Sequence, residues 1–354
     1  MALRAAAITA PGTVRVLEQT RPEAHGDLVV VKILIAPMCT EFKRRSSGSA
    51  QLSLGHEAAG IVVDAGEAAR AKVGDRVVVM PHYGCGLCWL CTSGEHMYCP
   101  HQRDVLSETG QPFGTATYAE YILKPDWLLA HVPDDIELEH AALACCGLGP
   151  GFNALQRMGV NSLDTLLVSG CGPVGLGSII QGIVRGARVL AVETHPYRSE
   201  LARKLGAERV FNPLVEDVVN LVRVETQGKG VDAAIDTSGA PTAAGTLARS
   251  LRARGRLSFV SWGNDVQLPP VVPLGLDMYA CWHWNHQTMA PLMWKTVRRA
   301  ASLMDVMITH RFPLDEVSAA MDLQDTGCCG KIYLLPHGAI NERNYGDTHS
   351  VPGW

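Results

Sequence analysis

The sequence predicts an α/β protein in two parts, a small mostly β domain and a second domain built on a doubly wound parallel sheet. Three observations carry this. The 354 residues exceed what one hydrophobic core usually serves. Residues up to 132 run as short β-type segments broken by Gly and Pro. Beyond residue 150, apolar strands alternate with helical stretches, the pattern of a parallel sheet with helices on its faces. A net charge of −4 with mixed signs gives no nucleic-acid or membrane-surface footprint, so neither partner is expected. The apolar runs, such as 28–35, stay well below the roughly 20 residues that span a bilayer.

Taken in order, residues 3–8 and 14–18 read as a hairpin around Pro11-Gly12, and 27–36 as a strand. Cys39 follows, in Met38-Cys39-Thr40-Glu41. Gly55-His56-Glu57 then leads into a strand over 61–63. A thiolate, an imidazole and a carboxylate are ligand types that catalytic zinc accepts. Taken alone the signal is weak, since a lone cysteine is usually just buried and a lone histidine is usually a satisfied core residue.

Residues 73–79 form a turn and strand that deliver the chain to Cys85, Cys88, Cys91 and Cys99, spaced C-x2-C-x2-C-x7-C. Two-residue gaps let successive sulfurs turn inward onto one ion, and the longer gap brings the fourth back to close a tetrahedron. Zn²⁺ suits four thiolates, so a closed, structural zinc lobe is expected over 85–99. The alternative, a pair of disulfides, needs an oxidising compartment. Residues 1–12 are too short for a signal sequence, so a cytoplasmic setting is expected.

In the second half, 163–169 is an apolar strand that runs into Gly170-Cys171-Gly172-Pro173-Val174-Gly175 and a helical stretch to 185. A second strand over 188–192 is closed by Glu193. Strand, G-x-G-x-x-G, helix, strand and acid together form the fingerprint of a dinucleotide site. The first glycine allows the tight turn, the second lets backbone N–H groups approach a pyrophosphate, and the third lets helix pack on strand. The helix N-terminus then faces phosphate with its positive end. Helices over 199–206 and 242–251 and strands over 208–211, 231–237 and 256–261 continue the alternation. Trp282, His283, Trp284 and His286 read as core or subunit-interface packing. Helices over 295–304 and 313–323, a strand over 331–335 and an irregular tail from 337 to 354 close the chain.

Together these residues resemble the zinc-dependent medium-chain dehydrogenases/reductases, the alcohol dehydrogenase superfamily. The resemblance covers 3–336 and rests on Cys39, Gly55-His56-Glu57, the four-cysteine lobe, the glycine fingerprint, Glu193 and the stretch 308–316. It implies a GroES-like catalytic domain (1–150 and 289–354) split by a Rossmann domain (151–288). It also implies two zinc ions per chain and NAD. Ala144-Cys145-Cys146-Gly147 is similar to the family's Gly-Cys-Gly segment, which makes Cys146 the third catalytic-zinc ligand and leaves Cys145 as packing. By the same resemblance Glu57 sits beside the zinc or ligates it transiently, and a homodimer or homotetramer is expected.

The implied chemistry is hydride transfer between NAD and a small alcohol or carbonyl, most simply a secondary alcohol, with zinc as the Lewis acid. Glu193 would accept hydrogen bonds from the ribose 2′-OH and favour NAD over NADP, with Arg198 nearby as a partial offset. The chain departs from the family after Cys39. The family commonly places a hydroxyl two residues past that ligand to start a proton relay, whereas here Thr40 is one residue past and Glu41 holds the relay position. We expect Thr40 to carry the proton, with Glu41 turned away toward Lys43, Arg44 or a neighbouring loop, because a carboxylate beside two thiolates would weaken the Lewis acidity. Trp89, Phe113 and Trp282 are candidate pocket walls. Three rivals share the same motifs: a reductase of a conjugated C=C bond, an internal-redox epimerase or lyase, and a catalytically dead cofactor-binding protein.

Overall fold

A computed structural model describes residues 2–46, 50–110, 115–261 and 265–339. The hairpin is present as an antiparallel pair, Ala2–Ala10 with Thr13–Thr20. The strand Leu28–Pro37 is the spine of the first half. Nine of its ten side chains are buried, which is why it reads as a continuous apolar run and not as an alternating one. It pairs antiparallel with Ala58–Ala65 on one side and with Tyr121–Pro125 and Lys331–Leu335 on the other. The C-terminal strand thus joins the sheet of the N-terminal half.

Between these segments lies a six-stranded parallel sheet. Its chain order is Thr165–Ser169, Arg188–Val192, Arg209–Phe211, Val231–Asp236, Leu251–Phe259 and Asp277–Ala280. Across the sheet the order is third, second, first, fourth, fifth, sixth. Strand order therefore reverses beside the first strand, and the crevice at the carboxyl ends of the strands there is where such a sheet binds a dinucleotide. The fold is the α/β architecture read from the sequence, a mostly β part and a doubly wound parallel sheet.

Some elements differ from the sequence reading. The helix expected over 295–304 runs from His286 to Met307. Pro291, its sixth residue, forgoes one bond to the Gln287 carbonyl, and the helix continues past it for sixteen residues. Asn285 caps the helix by accepting the Thr288 N–H at 3.2 Å. The strands Asp277–Ala280 and Ile308–Pro313 were not read, the latter because it begins directly at the helix end with no turn residue between. The helix expected over 313–323 is Val317–Thr326, preceded by a 3₁₀ turn. Of the tail, 340–354 lies outside the described residues, as does Phe113.

Candidate active site and metal centres

The four lobe cysteines come together around one point. Cys85 and Cys91 Sγ are 3.9 Å apart, and Cys88 and Cys99 Sγ are 3.7 Å apart. A disulfide would bring sulfurs to about 2.05 Å. A tetrahedron with bonds of about 2.3 Å has edges of about 3.8 Å, so the spacing fits four thiolates on one zinc and excludes a bridge. All eleven cysteines are free.

Cys39, His56, Glu57 and Cys146 form a second set, their ligand atoms all within 4.8 Å of one another. Three elements bring them together. Cys39 stands two residues past the spine strand. His56 and Glu57 immediately precede Ala58–Ala65. Cys146 lies in the turn before the helix Gly149–Met158. Cys39 and Cys146 Sγ lie 3.8 Å apart, the same tetrahedral edge. Cys145 turns the other way, its thiol lying against the His56 carbonyl at 3.6 Å. The Cys39 thiol is held well below its ordinary value, first by the hydrogen bond with Cys146 and then by His56, while that same shared bond and burial push Cys146 up.

Glu41 is not turned away. It is 6% exposed, and its Oε1 lies 2.5 Å from His56 Nδ1 while its Oε2 accepts the Tyr118 O–H at 2.8 Å. Of the expected directions, Lys43 and Arg44 are therefore corrected: its partners are His56 in the donor set and Tyr118 on a neighbouring loop. Two donors, the half-buried His56 and the fully buried Tyr118, satisfy the carboxylate where the sequence suggested only repulsion. Burial alone would raise the Glu41 carboxyl, but His56 and Tyr118 outweigh it and hold it at about 2. Because Nδ1 faces Glu41, it is Nε2 that His56 presents to the cysteines and Glu57. Thr40 is exposed.

Glu57 has a partner the sequence reading missed. Lys331 Nζ lies 2.5 Å from its Oε1, and both side chains are fully buried. Burial pushes the Glu57 carboxyl up to about 7 against the pull of Lys331, and its Oε2 has no hydrogen-bond partner among the described residues. The aromatic cluster packs in the core as read, but it also fixes a ligand loop. Trp284 Nε1 donates to the Ala144 carbonyl at 2.7 Å and His283 Nδ1 to the Cys145 carbonyl at 2.9 Å, directly before Cys146. Trp282 packs edge-on against His82 at 4.9 Å, whereas Trp89 is exposed on the zinc lobe.

The glycine turn has the shape its motif requires. Gly170 sits at φ +84°, and a Cβ on Gly175 would lie 1.8 Å from the Gly170 carbonyl oxygen. A Cβ on Gly172 would meet nothing within 4 Å, so open space lies before the N-terminus of the helix Pro173–Val184. Val174 follows Pro173 in its first turn. Glu193 accepts the N–H groups of Cys171 (2.6 Å), Thr194 (2.8 Å) and His195 (2.8 Å) at the edge of that space. The Thr194 hydroxyl also reaches Oε1 at 3.4 Å, so the remaining capacity for a hydroxyl lies on Oε2, which takes only the Cys171 N–H. The buried Arg198 Nε has no hydrogen-bond partner among the described residues.

Residues 25–134 match the alcohol dehydrogenase GroES-like domain and residues 173–299 the zinc-binding dehydrogenase domain. The chain is 32% identical to an L-threonine 3-dehydrogenase of Symbiobacterium thermophilum, over 80% of this chain and 81% of that protein. It is 27% identical to a sorbitol dehydrogenase of Bacillus subtilis, over 89% and 92%. Among solved structures, the alcohol dehydrogenase TADH from Thermus sp. ATN1 superposes with a TM-score of 0.84 at 25% identity, covering 94% of this chain and 99% of that one.

Proposed function

The chain belongs to the zinc-binding medium-chain dehydrogenases/reductases, oxidoreductases of CH–OH groups, and on that premise we propose that it oxidises a secondary alcohol, or reduces the matching ketone, using NAD and a zinc held by Cys39, His56 and Cys146. The observation that carries the reading is the second donor set, with its 3.8 Å sulfur–sulfur edge and an imidazole Nε2 turned inward. Four lobe thiolates would hold a second, closed zinc. The names of the relatives, a threonine 3-dehydrogenase and a sorbitol dehydrogenase, point to small hydroxyl compounds as substrates.

Bound there, zinc supplies Lewis acidity toward an alcohol or carbonyl oxygen and the nicotinamide supplies the hydride acceptor. The chain's own groups supply position and proton handling. Glu41 fixes the His56 tautomer, as outer carboxylates commonly do for metal-bound imidazoles. Tyr118 holds both the Glu41 carboxylate and the Cys39 N–H, the latter at 3.2 Å. Lys331 balances Glu57, whose unsatisfied Oε2 is free to approach the donor set. The exposed Thr40 hydroxyl can accept a proton while donating another, which suits it to pass one outward. Glu41, already accepting from two donors, is poorly placed to act as base.

Gly170, Gly172, Pro173, Val174 and Gly175 would cradle the pyrophosphate at a helix N-terminus, with Glu193 on the ribose hydroxyls and Arg198 beside them. The unit dividing 1–150 and 289–354 from 151–288 would let the cofactor and the donor set meet across one cleft, in a homodimer or homotetramer.

The test is absorbance of NADH during incubation with NAD and a panel of secondary alcohols, polyols, cyclitols and amino sugars, with product analysis. Net NADH and one equivalent of ketone are expected. Isomerised substrate without net NADH, saturation of a C=C bond, or full activity in a zinc-free enzyme would overturn the reading.

A further inference from the structure

A cleft of about 360 Å³ opens in front of His56. Its lining is basic. Arg44, Arg103 and Lys124 face one acid among the described residues, Asp104, alongside the imidazoles of His56 and His82; burial holds His82 down to about 4, so it adds no charge near neutrality. Several of these charges are already engaged, Arg44 among them. Arg103 is paired with Asp27 at 2.7 Å and Glu108 at 2.8 Å, and Asp104 accepts the Ser107 N–H at 3.1 Å as a helix cap.

Lys124 is different. It lies on Tyr121–Pro125, a strand whose neighbouring residues Ile122 and Leu123 are buried and apolar, and is itself 2% exposed. Ile122, two positions earlier and so on the same face, also lines the cleft. The Lys124 ammonium donates to the His82 carbonyl at 2.5 Å and stands 3.7 Å from the Tyr83 ring centroid. Among the described residues no carboxylate lies within ion-pairing distance of it. Three N–H donors therefore share one oxygen acceptor. Burial holds its pKa down to about 7, so near neutrality the side chain is part ammonium and part amine, and an anion beside it would favour the ammonium.

His82 sits at φ +63°, so one task for Lys124 is to hold that carbonyl. A neutral donor would do as much. What the charge adds is an attraction for an anion inside the cleft.

We infer that the cleft takes a substrate bearing an anionic group, a carboxylate or a phosphate, whose oxygens accept from the Lys124 ammonium while its hydroxyl reaches the His56 side. The place of the hydroxyl rests on the dehydrogenase reading, and the anion subsite does not.

Two matched pairs test this with the zinc- and NAD-loaded enzyme: 3-hydroxybutanoate against 2-butanol, and glycerol 3-phosphate against glycerol. The readout is the ratio of kcat/KM within each pair, for the wild type, Lys124→Gln and Lys124→Arg. Gln can still donate to the His82 carbonyl but carries no charge, whereas Arg keeps the charge.

In the wild type the ratio of at least one pair should favour the anion by about tenfold or more, and the favoured pair tells carboxylate from phosphate. It should fall by about 10- to 100-fold in Lys124→Gln, the weight of one hydrogen bond to a charged group. Lys124→Arg should restore most of it. A ratio unchanged in Lys124→Gln, or a wild type that prefers the neutral members, overturns the inference.

If no alcohol turns over, the dehydrogenase reading fails and calorimetry decides the subsite alone. Binding of isobutyrate or methyl phosphate that weakens about tenfold or more in Lys124→Gln and recovers in Lys124→Arg supports it. No binding, or binding indifferent to residue 124, overturns it.

Discussion

Replacing Glu41 by Gln changes one atom in a buried network and should loosen one zinc without touching the other. The carboxylate takes His56 Nδ1 at 2.5 Å on one oxygen and the Tyr118 hydroxyl at 2.8 Å on the other. Gln offers one acceptor oxygen and an NH₂ group. With the oxygen toward Tyr118, the NH₂ faces Nδ1 and favours the tautomer protonated on Nε2, the atom turned toward the cysteines. With the oxygen toward Nδ1, the NH₂ faces a hydroxyl that must also serve the Cys39 N–H. Either way a preorganised bond is lost at a site 6% exposed.

Loss of such an outer partner typically costs 10- to 100-fold in metal affinity or activity, about 1.4 to 2.7 kcal/mol. Competition with a chromogenic chelator should show one equivalent of zinc leaving Glu41→Gln that much more readily, and the lobe equivalent leaving as in the wild type. Thr40→Val should instead keep its zinc while kcat falls by about 10²-fold, the scale of one proton-transfer group. Wild-type zinc retention and kcat in Glu41→Gln would refute the orienting role. A large kcat loss there with tight zinc, and none in Thr40→Val, would make Glu41 the base.

Three further outcomes follow from other parts of the molecule. Cys88→Ser should lose the lobe zinc and the protease resistance of 85–99, as read by elemental analysis and limited proteolysis, because three thiolates leave a closed site incomplete. Wild-type kcat/KM should favour NAD over NADP, and Glu193→Ala should narrow that preference, because the carboxylate repels a 2′-phosphate. Lys124→Met should stabilise the fold. The folded-state pKa lies near 7, below the ordinary 10.5, so the unfolded chain binds the extra proton and the wild type gains stability as pH rises between those values. The gap between variant and wild type, a few kcal/mol on the order of magnitude of that shift, should be widest at or below pH 7 and close toward pH 10 in chemical denaturation. A gap independent of pH would show that Lys124 is not a buried charge.

What could be read from the sequence was what neighbouring residues determine. The cysteine lobe and the glycine turn announce themselves because their constraints fall within fifteen residues or fewer. The parallel sheet follows from strand and helix alternating along the chain. The second donor set was weaker, since Cys39, His56 and Cys146 lie on three separate elements and Cys146 was reached only through the family's pattern. Lys331 comes to Glu57 from 274 positions away, and nothing local marks it. Glu41 was misplaced for a related reason. Reasoning from its chain neighbours Lys43 and Arg44 could not anticipate that Tyr118 and His56 would supply its two donors. Lys124 escaped notice because a lysine in an otherwise apolar strand reads as an edge residue until its burial is seen.

The open donor set carries the proposed chemistry, and Cys146→Ser tests it directly. Zinc content and NADH formation are measured on the same preparation, with circular dichroism and NAD binding as checks of the fold. The wild type should hold about two zinc equivalents, by the count of its two donor sets. The variant should keep the fold, the cofactor and the lobe equivalent, while losing the other zinc and turnover together. A variant that binds one zinc and still turns over at the wild-type rate would contradict the assignment of this site.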